Sequence, residues 1–144
     1  MKAIVITFLL TASLLASENK EAVRAQIIEK ILSNVSIGKA KIVWSDNKEL
    51  IAGFKKNGDL TTAVNCEKAT IVVIENKENI QNDACKNKPV FVLNYNLLKD
   101  LPESFGAFFW KKGRPNIVII QPRTESQNIT VSKELTVYVE EKVW

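Results

Sequence analysis

A cluster of aromatic and cationic residues late in the chain is the group best suited to contact another molecule. It comprises Phe105, Phe108, Phe109 and Trp110, followed by Lys111, Lys112 and Arg114. Strand-like runs flank Lys112-Gly113, and glycine accepts the positive φ of a tight turn. We therefore predict a β-hairpin with strands at about Ala107–Lys111 and Asn116–Gln121.

Aromatic rings beside cations are enriched at the energetic centres of protein interfaces. The candidate partner-binding residues are Phe108, Trp110, Lys111 and Arg114. Because side chains alternate across a strand, burial of Phe109 would leave Phe108, Trp110 and the nearby Arg114 on the opposite face, unless a helix covers it. At least two of the four rings are expected to belong to the core.

Catalytic chemistry has little support in this sequence. The chain contains no histidine, which removes the commonest general base, a frequent zinc ligand and every Ser-His or Cys-His nucleophile pair. No glycine-rich phosphate loop follows a predicted strand, and the adjacent Glu140 and Glu141 would point about 100° apart on a helix. We expect no catalytic residue, no metal site, no cofactor and no enzyme activity.

The only two cysteines, Cys66 and Cys85, lie 19 positions apart. In an oxidising compartment such a pair most simply forms a disulfide, which would stabilise the fold by about 3 kcal/mol through loop closure. A pair of buried thiols and a redox-sensitive regulatory bond are the alternatives.

The first sixteen residues have the pattern of an export signal. Met1-Lys2 precedes the apolar run Ala3–Ala16, and polarity returns at Ser17. This run is shorter than the roughly 20 residues of a membrane span, so we predict a signal peptide at 1–16 and a periplasmic location. A retained N-terminal anchor is the alternative.

The remaining residues, 17–144, are predicted to form a single domain. The whole chain has a formal charge of +4, and loss of Lys2 leaves +3. Cations and acids alternate along most segments, which indicates a solvated surface of mixed charge rather than a nucleic-acid interface.

Hydrophobic periodicity predicts alternating helices and strands. A helix is expected over about 18–35, a strand over 39–44, and a second helix from Asn47 to about Lys56, capped by Ser45 and ended by Asn57-Gly58. Further strands are expected at 61–64, 69–74 and 89–93, a short helix at 78–84, and a helical or turn-like segment at 97–101.

The segment after Ser132 is predicted to be helical because Leu135, Tyr138, Val139 and Val143 form one apolar stripe. Leu135, Val137 and Val139 also alternate as a strand would. Helix-strand alternation followed by a hairpin predicts an α/β fold, specifically a three-layer α/β sandwich whose mixed sheet is parallel in the middle and ends in an antiparallel hairpin.

This order of elements resembles the YfiR-like periplasmic proteins. The resemblance spans nearly all of residues 17–144 and rests on short motifs: Cys66 just before the strand 69–74, the strand 88–93, the glycine-headed hairpin Gly106–Arg114, and the segment Asn128–Leu135 with its serine cap. The chain departs from the family pattern in having one cysteine pair, in Arg114-Pro115-Asn116, and in its acidic C-terminal segment.

The resemblance implies a non-enzymatic regulator that inhibits the periplasmic sensor domain of an inner-membrane diguanylate cyclase, and so lowers cyclic di-GMP and biofilm formation. The expected partner is an inner-membrane signalling protein; a homodimer is left open and nucleic acid is not expected. A periplasmic small-ligand-binding or transporter accessory protein is the alternative function.

Overall fold

A mixed β-sheet of seven strands forms the centre of the molecule. The computed structural model describes residues 20–80 and 85–144. The strands are β1 (Val35–Ser36), β2 (Ile42–Ser45), β3 (Thr61–Thr62), β4 (Ile71–Ile74), β5 (Val90–Val92), β6 (Ser104–Lys111), β7 (Arg114–Ile120), β8 (Thr130–Val131) and β9 (Val139–Glu140). The helices are α1 (20–33), α2 (Lys48–Asn57), α3 (Leu97–Asp100) and α4 (Gln121–Ser126), with 3-10 helices at Lys77–Ile80 and Lys133–Tyr138.

The order of strands in the central sheet is β3-β2-β4-β5-β6-β7-β9. All neighbouring pairs are parallel except β6 and β7, which form the antiparallel hairpin. A separate antiparallel pair joins β1 to β8. The α/β class, the mixed sheet and the hairpin are therefore confirmed, with β9 added beyond the hairpin.

Both faces of the sheet are covered, which gives three layers. On one face, apolar side chains of α1 and α2 pack against inward residues of β2, β4, β5, β6 and β7. On the other face, the loop after β3, the 3-10 helix Lys77–Ile80 and α3 pack against the alternate strand residues. Short strands buried on both sides explain the continuous apolar run Ile71–Ile74, in which every residue is buried.

The cap of α2 differs from the prediction. Ser45 is the last residue of β2, and its hydroxyl accepts the backbone N–H of Asn47 at 3.0 Å. Asn47 is the N-cap, because its side-chain oxygen accepts the N–H of Leu50 at 2.9 Å. The predicted end is confirmed: Gly58 adopts φ 79° and donates its N–H to the carbonyl of Phe54.

Helices α1 and α2 approach each other closely at Gly53. A Cβ atom built on Gly53 would lie 2.7 Å from the Cβ of Ala25. Because Ala25 has no flexible side chain to move aside, a larger residue at position 53 must push the two helices apart.

Gly53→Ala is expected to destabilise the protein despite the better helix propensity of alanine. Overpacking costs about 1–3 kcal/mol and the propensity gain is about 1 kcal/mol, so a net loss of up to about 2 kcal/mol should appear in urea unfolding. Adding Ala25→Gly restores the space, and the double-mutant cycle should show favourable coupling. Greater stability of Gly53→Ala alone would contradict the close approach.

The C-terminal segment is not the continuous helix that its apolar stripe predicts. A 3-10 helix over Lys133–Tyr138 is followed by β9, in which Val139 pairs with Ile119 of β7. Leu135 is buried, whereas Tyr138 is 38 % exposed. Parallel pairing with β7 supplies the backbone partners of Val139 and Glu140, so these two residues are extended.

The predicted disulfide is present. Cys66 and Cys85 are bonded, with a Cα–Cα distance of 5.4 Å, and both residues are buried. The bond joins the loop after β3 to the segment before β5. Lys88 holds the same loop through hydrogen bonds from its ammonium to the carbonyls of Cys66 and Glu67.

Three predictions fall wholly or partly outside the described residues. The signal peptide at 1–16 lies outside them, as does the beginning of the first predicted helix. The helix predicted at 78–84 is a 3-10 helix over Lys77–Ile80, and residues 81–84 lie outside the description. Across 20–80 and 85–144, none of the helices has the length and apolar character that crossing a membrane would require.

Candidate interaction site

The hairpin of β6 and β7 extends beyond the strands on either side of it. Its pairing runs from Gly106 opposite Ile119 to Lys111 opposite Arg114. Neighbouring β5 pairs no further than Ala107, and β9 pairs only with Ile119 and Ile120. Residues 108–117 therefore form a two-stranded projection without another strand partner in the described part of the chain. We call these residues the hairpin arm.

The turn at the tip of the arm follows from its two residues. Lys112 has φ 52° and Gly113 has φ 76°. Positive φ at both central positions is the geometry of a two-residue hairpin turn whose twist matches that of the flanking strands. This tight turn fixes the register and places Lys111 directly opposite Arg114.

Phe108 is a core residue, which corrects its assignment as a partner contact. The whole residue is 1 % exposed and belongs to the core cluster that α1 covers. The ring also meets Trp110 edge-on, with centroids 5.3 Å apart. Alternation along the strand does place Phe108 and Phe109 on opposite faces of the sheet. The sequence pattern could not show that a helix covers the face of Phe108.

Trp110 lies at the boundary between the core and the solvent. It is half-buried against the core, and Lys20 of α1 holds its ammonium 4.6 Å from the ring centroid. A cation at this distance over a tryptophan ring is attracted by its π electrons. Across the hairpin, Trp110 pairs with Pro115, which is exposed. The ring of Trp110 therefore stays partly exposed at the side of the hairpin.

Lys111 and Arg114 are exposed at the end of the arm. Because directly opposite residues share a face, and Lys111 is two positions after Phe109, Arg114 lies on the Phe109 face. This corrects the expectation that Arg114 shares the face of Trp110. Phe109 is half-buried there against Tyr95, with ring centroids 5.2 Å apart. The arm therefore presents Trp110 on one face and two cations on the other.

The base of the hairpin is fixed by Arg123 of α4. Its guanidinium donates to the carbonyls of Leu98 and Ser104 at 2.8 and 3.0 Å. Burial lowers the pKa of Arg123, and the nearby Glu103 carboxylate acts in the opposite direction. These hydrogen bonds join α4, which follows β7, to the start of β6. The arm consequently projects from a rigid base.

A groove runs beside the arm on the Trp110 face. It has a volume of about 460 Å³ and lies between α1, the beginning of β7 and the 3-10 helix Lys133–Tyr138. It is lined by Ile27, Lys30, Ile31, Asn34, Pro115, Asn116, Ile117, Glu134, Leu135 and Tyr138. Sequence reasoning missed this groove. The breadth of the apolar stripe on α1 was the available signal, since Ile27 stays partly exposed at its margin.

Two charged residues outside the arm, Asp46 and Arg24, make internal contacts. The Asp46 carboxylate accepts the backbone N–H groups of Glu75 and Asn76, both at 2.8 Å. Arg24, which is 8 % exposed, pairs with Glu21 and lies 3.9 Å from Glu75. Among the described residues, no group of three or more acids and cysteines is arranged to hold a metal ion.

Comparison with known proteins defines the fold alone. No family model and no curated protein matches the chain. The chain is similar to a solved structure described as a conserved domain protein from Vibrio cholerae O1 biovar El Tor str. N16961, with a TM-score of 0.52 and 13 % identity. The match covers 83 % of this chain and 58 % of that one. This likeness supports the α/β architecture and carries no function with it.

Proposed function

We propose that this protein is a non-enzymatic periplasmic regulator that binds the periplasmic sensor domain of an inner-membrane diguanylate cyclase and inhibits it. The proposal rests on the resemblance to YfiR-like proteins, on the export-like N-terminus, and on the disulfide, which is compatible with an oxidising compartment.

The observation that carries the proposal is the hairpin arm. Exposed Lys111 and Arg114 and half-buried Trp110 lie past the ends of the neighbouring strands β5 and β9. Tryptophan and arginine are the residue types most enriched at the energetic centres of interfaces. An arm whose base is held by hydrogen bonds and whose tip is a tight turn loses less conformational entropy on binding than a flexible loop.

Inhibition by such an arm requires only a difference in affinity. A partner shifts a conformational equilibrium by the extent to which it binds one state better than the other. The regulator would therefore bind the inactive form of the sensor domain more tightly and lower the output of the cyclase. No reacting group on the regulator is needed.

The direct test uses the sensor domain of a diguanylate cyclase encoded next to this protein. We expect the disulfide-bonded protein to bind that domain in isothermal titration calorimetry and to lower cyclic di-GMP when both proteins are produced together. Absence of binding together with unchanged cyclic di-GMP would refute the proposal.

Replacing the exposed arm residues should weaken this binding. Arg114→Ala is expected to cost about 2 kcal/mol, or about a 30-fold rise in Kd, with little change in melting temperature. Trp110→Ala should weaken binding similarly and also lower the melting temperature, because the ring packs on Phe108. Lys55→Ala, at an exposed cation of α2, is the matched control. Loss of binding only in proportion to unfolding would place the interface elsewhere.

A small-ligand-binding protein is the second candidate, and the groove beside the arm favours it. Its walls combine Ile27, Ile117 and Tyr138 with the polar Lys30 and Asn34. An apolar cleft with a few polar groups is the usual form of a ligand site. Thermal-shift screening of small amphipathic compounds separates the candidates: stabilisation that Ile27→Glu abolishes and Arg114→Ala leaves intact would favour the carrier.

A further inference from the structure

We propose that the Phe109 face of the hairpin arm, together with the aromatic residues next to it, binds the surface of a bilayer that contains anionic phospholipids. We call this surface the aromatic-cationic face; it consists of Phe109, Tyr95, Trp144, Lys111, Arg114 and Lys142. The inference goes beyond the proposed function and does not rest on it.

Three aromatic residues are neighbours on this face. The rings of Phe109 and Tyr95 meet edge-on, with centroids 5.2 Å apart. The Tyr95 hydroxyl accepts the backbone N–H of Trp144 at 2.9 Å, and Val143 packs against the core, so the position of Trp144 is fixed. Trp144 is nevertheless 69 % exposed. Tryptophan and tyrosine concentrate at membrane–water interfaces because each side chain has an apolar body and a polar group.

Cations lie beside these rings. The Lys142 ammonium is 4.2 Å from the centroid of the Trp144 ring. Lys111 and Arg114 are exposed and directly opposite each other, and none of the ion pairs among the described residues includes these three cations. Like charges directly opposite each other destabilise a hairpin. Anionic headgroups would relieve this repulsion, and Lys112 in the turn would add a further contact.

This arrangement fits a bilayer better than an acidic protein. Protein interfaces typically place aromatic residues at a centre that is depleted of charge. Here the exposed ring of Trp144 lies under a lysine, and the tip of the arm carries three cations and no acid. Binding to a membrane surface uses both kinds of group, since apolar side chains enter the headgroup boundary while cations attract anionic lipids.

The test measures partition of the purified, disulfide-bonded protein onto lipid vesicles by co-sedimentation. One set of vesicles is phosphatidylcholine with about 30 % phosphatidylglycerol, and the other is phosphatidylcholine alone. The variants are Lys111→Glu/Lys112→Glu/Arg114→Glu and Trp144→Ala. The matched control, Lys48→Glu/Lys55→Glu/Lys56→Glu, makes the same charge change on exposed positions of α2. Melting curves confirm that each variant is folded.

The protein is expected to partition about tenfold or more better onto the anionic vesicles than onto the neutral ones, with a loss of binding at high salt. The triple arm variant should lose about tenfold or more, and the α2 variant should change by less than about twofold. Trp144→Ala should lower the partition about threefold and should lack the blue shift of tryptophan emission that the unmodified protein shows on anionic vesicles.

Several results would overturn the inference. Equal partition onto both kinds of vesicle, or equal loss with the arm and α2 variants, would remove the role of this face. Unchanged binding of Trp144→Ala would show that positive charge alone is sufficient. All variants share one N-terminus, so binding through the apolar run Ala3–Ala16 would not respond to them and would also count against the inference. Binding to a soluble polyglutamate peptide without binding to vesicles would assign the face to an acidic protein instead.

This experiment fails separately from the test of the proposed function, because the vesicles contain no protein and the sensor domain is titrated without lipid. Vesicle binding together with a sensor domain that does not bind would retain the lipid surface and reject the cyclase as the partner. Binding of the sensor domain without binding to vesicles would do the reverse.

Discussion

Phe108→Ala is expected to lower the free energy of unfolding by about 3–5 kcal/mol, the usual cost of removing a buried phenylalanine ring. The residue is 1 % exposed, and its ring fills the space between α1 and the hairpin. The loss should appear as a lower midpoint in urea unfolding with an unchanged slope.

The matched control is Lys111→Ala, three positions away on the same strand and exposed. This substitution should change stability by no more than about 0.5 kcal/mol. If Phe108→Ala cost less than about 1 kcal/mol, the helix would not cover the ring, and Phe108 would return to the set of candidate partner contacts.

Removal of the disulfide is expected to cost about 2–5 kcal/mol. The bond joins two buried positions 19 residues apart and holds the loop that covers the second face of the sheet. Cys66→Ala/Cys85→Ala should therefore unfold at lower urea concentration than the oxidised protein.

Reduction provides the control for this prediction. The unmodified protein in excess dithiothreitol should lose a similar amount of stability, and the double variant should not respond to the reductant. Free thiols in protein purified without reductant, or equal stability of the oxidised protein and the variant, would contradict a stabilising bond.

Much of the fold could be predicted because it depends on local signals. The left-handed residues Lys112-Gly113 set the hairpin, and Gly58 ends α2 because glycine accepts a positive φ. The buried strands followed from short β-branched runs, and the cysteine pair gave the disulfide. Each of these features is determined by residues adjacent in sequence or by a unique pair.

Other features depended on contacts between distant segments. Both Ser45 and Asn47 can cap a helix. Parallel pairing with β4 extends β2 through Ser45, so the helix begins later and Asn47 is its cap. The segment after Tyr138 joins the sheet as β9 because β7 offers an edge to it. A periodicity calculation on one segment contains no information about such partners.

For the candidate site, the sequence determined that aromatic and cationic residues share one hairpin, since their spacing and the turn are local. Which of these residues stay exposed depends on the packing of the folded chain. Coverage by α1 placed Phe108 in the core, and the register of the two-residue turn moved Arg114 to the face of Phe109. The physical reason is that the exposure of a side chain depends on which elements pack against its face of the sheet. It also depends on the register of the strands, because a shift of one residue moves every side chain to the opposite face.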